Sequence, residues 1–335
     1  MKKVISLLLI LTLVLSASTG FALSAAKNGR INKVKEILSN TALSKAKIGQ
    51  EKRLYNAKGE FIAYLIEIED SGYFILSAKS NTIIEYSIDN PSPYIGYTGK
   101  LFYNGFGNYY VESKDKVINL LTKTSLSSKS IQNAFLPKED EYSQQKTSFD
   151  ITTNININSI GYETNLSSSL KTWSGPHYCV VDSCAIMLEY FDRIHSSRYV
   201  PNNYNSNGLL QDFLVDNKYI PNAPQHLYEA VEGQIYNGIK YTGLNDYLDT
   251  FVAPLDAYSK YLDFDFYLLK DNIESDKPVI IAIRDYNGGE YHAVVAHGTI
   301  ELSDGSKYVK LNDTFGRNNV NYIVSSDMDQ MLWFD

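Results

Sequence analysis

The sequence predicts an α+β fold in two unequal domains, on three observations. An apolar rhythm of three to four residues opens the second half of the chain at 179–195. Alternating, β-branched runs close that half. A hairpin pattern occupies the first half, and a polar stretch separates the two. A helix followed by antiparallel-looking strands is the element order of an α+β domain.

The chain opens with "MKKVISLLLILTLVLSASTGFA". Lys2 and Lys3 precede an apolar run from Val4 to Leu15, and Gly20 and Ala22 stand at the −3 and −1 positions of a cleavage site. This is the layout of a secretory signal peptide over 1–22. The run falls short of the ~20 residues that a membrane span needs. The expected location is therefore extracellular, with no membrane span in the mature chain. The net charge of −7 and the lack of any basic stripe argue against a nucleic-acid partner.

Residues 23–125 read as the smaller domain. "INKVKEILSN" has helical spacing. "FIAYLIEI" and "YFIL", joined by "DSG", read as a hairpin, and "NTIIEYSIDNPSPY" as a further strand. "DKVINLLTK" is a helix candidate. Residues 126–160, rich in Ser, Thr, Asn, Gln and Lys, read as a linker, with a strand in "FDITTNININ" as the alternative. Residues 161–335 form the larger domain. It holds the 179–195 helix, shorter helices in "NGLLQDFLVDN" and "GLNDYLDTFV", and strands in "KPVIIAIR", "YHAVVAHGTIEL", "KYVKLND" and "NNVNYIVS".

The chain has only two cysteines, Cys179 and Cys184. Secretion permits a disulfide. Five residues along one helix, however, separate the Cα atoms by roughly 8–9 Å, beyond the ~7 Å that a bridge spans. Cys184 lies on the apolar stripe with Met187, Leu188 and Phe191 and reads as a core residue. Cys179 stands at the helix start, after Gly175 and Pro176. Unpaired N–H groups there stabilise a thiolate and lower the thiol pKa. The bland alternative is a merely buried thiol.

A thiolate nucleophile needs a base, and the base an orienting group. His177 lies too close in sequence, His195 ends the helix, and His226 has no evident partner. In the strand "EYHAVVAHGTI", His292 and His297 face opposite ways, so one can reach a cleft. Asp313, one hairpin downstream, can bind the far imidazole nitrogen of His292. Asp313 also reads as a simple turn residue, and Asn312 fills either role. No acidic or histidine spacing calls for a metal or other cofactor.

Cysteine, then histidine on a strand, then Asn/Asp on the next strand resembles the papain-like cysteine peptidases. "CVVDSCAIMLEYFD", "KPVIIAIRDYNGGEYHAVVAHG" and "NDTFG" are most similar to the secreted bacterial streptopain-like and bacteriocin-processing-like forms. The resemblance implies a papain-like fold, a helix carrying Cys179 on an antiparallel sheet. It also implies a Cys179–His292–Asp313 triad acting on polypeptides. "GYFILSAKSNTIIEYSIDNPSPY" is similar to the propeptide of such zymogens. That implies an N-terminal domain acting as an intramolecular inhibitor, with the linker as the cutting region. One position departs: the family's oxyanion-donating Gln, six residues before the cysteine, is Trp173 here. An indole N–H can donate one hydrogen bond in its place. The alternatives are a non-hydrolytic papain-like binding protein and, less well supported, a transglutaminase or cell-wall hydrolase.

Overall fold

The computed structural model describes residues 27–69, 71–114, 116–127 and 160–335, except 175–177, 196–197, 223, 225, 253–254, 262 and 285–290. The expected signal peptide, nearly all of the expected linker, and Gly175, Pro176 and His177 lie outside the described residues.

Residues 27–39 are helical (α1), as the spacing of Ile31, Val34 and Leu38 requires. Eight strands follow: β1 (Ile48–Tyr55), β2 (Phe61–Ile68), β3 (Gly72–Ser77), β4 (Ile83–Ser87), β5 (Leu101–Tyr103), β6 (Tyr109–Ser113), β7 (Lys116–Asn119) and β8 (Ser125–Ser127). The second half begins with β9 (Ile160–Asn165) and helices α2 (Cys179–Ile194), α3 (Leu209–Asp216) and α4 (Leu227–Glu232). Next come a ribbon of β10 (Gln234–Tyr236) and β11 (Ile239–Tyr241), α5 (Gly243–Phe251), β12 (Ala257–Tyr261) and α6 (Phe266–Glu274). The chain closes with β13 (Val279–Arg284), β14 (Tyr291–Leu302), β15 (Lys307–Asn312), β16 (Val320–Ile323) and β17 (Met328–Phe334).

These strands overturn the expected fold, a papain-like helix on its own antiparallel sheet after a smaller α+β domain. Apart from the β10–β11 ribbon, the described strands belong to one mixed sheet of 15 strands, with few helices. The path runs β12-β17-β13-β14-β15-β16-β4-β3-β2-β1-β5-β6-β7-β8, and β9 pairs with β14. All pairings are antiparallel except β1 with β5. The two halves of the chain meet where β16 pairs with β4, with Asn321 opposite Tyr86 and Tyr322 opposite Glu85.

The reason is that strand pairing is a long-range choice that local pattern does not encode. Strand β1, "IGQEKRLY", is mostly polar and half-exposed, and β5 is three residues long. Neither carries a readable alternation. The helix expected in "DKVINLLTK" is also corrected, since its described part is strand β7 and a turn. Asn119 decides this: its Oδ1 accepts the amides of Leu121 and Thr122 at 2.9 and 3.1 Å, and Lys123 takes φ +61°. A side chain that bonds its own following backbone favours a turn over a helix.

Helix α2 lies on β14 and β13. Its residues Val181, Cys184, Ala185, Met187, Leu188 and Phe191 are buried in a cluster with Ile281, Val294, Met331 and Leu332. Burying one such side chain stabilises by about 1.5–3 kcal/mol. Helix α1 covers the same sheet further along, where Val34, Ile37 and Leu38 meet Phe74, Tyr86, Ile300 and Tyr308. That second core is thus built from both halves of the sequence.

Candidate active site

Cys179 is the first residue of α2, and no side chain caps the helix there. Both cysteines are free thiols, and Cys184 is fully buried in the core. The paired register of β14 with β15 ends at Val295 opposite Asn312, which leaves Ala293 without a β15 partner. Its amide donates to Cys179 Sγ at 3.2 Å, and its carbonyl accepts from Thr314 Oγ1 at 3.4 Å. Past the end of the β14–β15 ladder the nucleophile candidate takes the place of a strand partner at this amide. The sulfur lies against the main chain of the residue that follows His292.

His292 sits opposite Ile283 of β13. Its Nε2 lies 2.8 Å from the main-chain oxygen of Asp313. A carbonyl only accepts, so Nε2 carries the proton and the neutral ring keeps its lone pair on Nδ1. The ring is stacked against Phe315 at 4.8 Å between centroids and against Phe106 at 6.2 Å. Phe106 comes from the β5–β6 turn in the first half of the chain. Next to it Gly107, at φ +78°, approaches so closely that a Cβ would stand 3.1 Å from His292 Cδ2.

Asp313 is fully buried just past β15. The expected carboxylate–imidazole bond is not made. Instead Oδ1 accepts the amides of Phe315 and Arg317 at 2.9 and 2.8 Å, and Oδ2 accepts Arg317 Nε at 2.5 Å. The group that meets His292 is the Asp313 carbonyl. Asn312 ties the turn to the segment before the cysteine, its Nδ2 donating to the Lys171 carbonyl at 2.8 Å. Trp173, two residues on, is half-buried and packs, like Cys179, against the core cluster around α2.

Electrostatically the pair is at rest. Burial pushes the Cys179 thiol up to about 11, against the pull of the Ala293 amide. The lowering expected at a helix start is outweighed by desolvation. Burial also pushes His292 below its ordinary value, opposed by the Asp313 carbonyl and carboxylate and aided by Arg317. Thiol and imidazole are both favoured in their neutral forms.

The three other described histidines sit in separate surroundings. His297 is buried, with Nε2 unpaired among the described residues, and burial takes it down to about 3. His226 precedes α4 and packs among Tyr228, Tyr261 and Tyr291. His195 ends α2 and bonds the Asp276 carbonyl.

Sequence reading missed Arg317, Phe106 and a buried cluster around Glu85. Glu85 accepts the hydroxyls of Tyr73 and Tyr109 at 2.5 and 2.6 Å on Oε1 and of Tyr103 at 3.0 Å on Oε2. The only local hint was a carboxylate within the apolar strand "TIIEYS". Among the described residues no group of three or more His, Cys, Asp or Glu side chains could hold a metal ion. No described helix is long and apolar enough to cross a membrane.

No family model matches the chain, and no curated protein matches it. Among solved structures, one titled recombinant stem bromelain precursor is similar at a TM-score of 0.26 and 14% identity, over 54% of this chain and 72% of that one. At that score the likeness carries no weight for fold or function.

Proposed function

We propose that the protein is a secreted cysteine peptidase made as a zymogen, with Cys179 as nucleophile and His292 as acid–base. The observation that carries this reading is the 3.2 Å contact of Cys179 Sγ with the amide next to His292. Nδ1 of His292 takes the thiol proton as Sγ attacks the carbonyl carbon of a peptide. The tetrahedral oxyanion is met by the uncapped amides at the start of α2, with the Trp173 indole N–H as a second donor. The C–N bond breaks as the imidazolium returns its proton to the leaving amine, and a thioester remains. Water, deprotonated by the same ring, hydrolyses the thioester to the acid and the free thiol.

In this reading the first half of the chain is the cover. Phe106 and Gly107 lie against the His292 ring, and both reacting groups rest neutral. Cutting between 126 and 160 and withdrawing that half would admit water and substrate. The polypeptide substrate, the inhibitory role of the N-terminal half and the extracellular location all belong to this proposal.

The test is limited proteolysis of the full chain, followed by iodoacetamide labelling and casein hydrolysis. Cys179→Ala should stay folded, as judged by circular dichroism, and lose both labelling and hydrolysis. Labelling that moves with Cys184→Ala instead would overturn the assignment. The high thiol pKa favours one second reading, a non-hydrolytic binding protein. Absence of casein turnover after withdrawal of the N-terminal half would select it.

A further inference from the structure

The imidazole of His292 touches one short loop, 313–317, in two places: the Asp313 carbonyl and the Phe315 ring. That loop is not relaxed by itself. Thr314 takes φ +57°, an uncommon backbone state for a β-branched residue, and Gly316 takes φ +92°. Such a state persists where the surroundings over-determine it. Here Asp313 supplies the closure, binding two amides and the Arg317 guanidinium.

Arg317 in turn is not free to turn away. Its Nη1 and Nη2 donate to the hydroxyls of Tyr73 and Tyr109, each at 3.4 Å, and its guanidinium lies over the Tyr109 ring at 5.1 Å. Those hydroxyls donate onward to the fully buried Glu85. Tyr73, Glu85 and Tyr109 belong to β3, β4 and β6, all in the first half of the chain. A continuous polar path therefore runs from three N-terminal strands to the nitrogen of the candidate base. Its link into the 313–317 loop is one planar, five-donor side chain.

We propose that Arg317 is a positioning residue through which the N-terminal strands set the orientation and tautomer of His292. The N-terminal half would then act on the base twice, stacking Phe106 on its face and bracing the carbonyl that holds its Nε2 proton. The proposal deepens the peptidase reading and rests on it for its functional meaning.

The test uses the full-length chain with ¹⁵N-labelled histidine, the His292 signals being assigned by their loss in His292→Gln. The wild type should show an Nε2-protonated ring with a slowly exchanging proton. In Arg317→Gln that proton should exchange with water roughly tenfold faster, as expected when a bond of ordinary strength is weakened, and the tautomer preference should be lost. Arg317→Lys should restore it in part, since an ammonium replaces the charge but not the fork. Tyr109→Phe, which removes a single hydroxyl, should shift exchange in the same direction. It decides the matter should Arg317→Gln fail to fold. Wild-type exchange and tautomer in folded Arg317→Gln, or in folded Tyr109→Phe if the former is lost, would overturn the proposal. The peptidase reading fails separately: it falls if iodoacetamide labelling of Cys179 in the proteolysed chain is unchanged by His292→Ala.

Discussion

The Cys179–His292 pair and the Glu85–Arg317–Asp313 cluster are neighbours, joined through the Asp313 carbonyl, yet they are partnered differently. Burial drives the thiol up and the imidazole down, and neither has a charged partner strong enough to reverse it. In the cluster, Glu85 is also raised by burial, but Arg317 and three tyrosine hydroxyls oppose that rise. Asp313 is held by Arg317 and two amides. The contrast is one of partners: the buried carboxylates of the cluster are compensated by a guanidinium and hydroxyls, while the Cys179 thiol and the His292 ring bond main-chain groups and are left uncompensated. A neutral thiol and imidazole can exchange one proton without breaking an ion pair.

The largest expected effect tests the uncompensated side. Cys179→Ala should lower casein hydrolysis by the proteolysed protein by about 10⁴-fold or more. Urea unfolding of the full chain should change little, because the lost sulfur accepts only weak bonds from backbone amides. An equal loss in Cys184→Ala, with the fold kept, would break the comparison.

Next comes the compensated side. Glu85→Ala leaves the buried Arg317 short of countercharge and strips three hydroxyls of their acceptor. It should destabilise the full chain by about 3–5 kcal/mol in urea titration. Glu85→Gln, which keeps an acceptor oxygen, should cost less. Equal, small costs for both would show the cluster to be unimportant for stability.

Acid should expose the cost of burying neutral imidazoles. His297 has a folded pKa of about 3 against 6.5 for an ordinary histidine. The unfolded chain therefore binds the proton first, and stability falls as pH drops below 6.5 until the folded value is reached. The slope is about 1.4 kcal/mol per pH unit for each such group. His292, also lowered, adds in the same direction. Urea midpoints between pH 6.5 and 5 should fall in the wild type and fall less steeply in His297→Gln.

The smallest effect is expected at an exposed pair. Lys47 and Glu69 lie 3.1 Å apart with side chains 77% and 53% exposed. Lys47→Ala should shift stability by about 0.5 kcal/mol or less, and still less at high salt. A cost like that of Glu85→Ala would show that burial is not what separates the two kinds of charge.

Legibility in the sequence follows the range of the interaction. Helix α2, the β2–β3 hairpin and strands β13, β14 and β15 were readable because Val181–Leu188, Phe61–Ser77 and Val279–Asn312 carry their own periodicity. The single sheet was not readable. It hinges on Asn321 and Tyr322 finding Tyr86 and Glu85, more than half the chain away. The candidates Cys179 and His292 were picked from residue type and placement, and the structure sets the sulfur against the amide that follows His292. Arg317 was not, because an arginine after "NDTFG" has no local signature until Tyr73 and Tyr109 arrive beside it.

By itself, then, the chain's order of residues determined the strongly periodic helices and strands and which thiol stands at a helix start. Those properties depend on near neighbours and on backbone preference. Only the tertiary structure decided which strands pair, that the Asp313 carboxylate closes its own loop while its carbonyl meets the imidazole, and that the thiol rests protonated. Each of these depends on desolvation and hydrogen-bond partners contributed by residues distant along the chain, and such terms outweigh local preference wherever a polar group is buried.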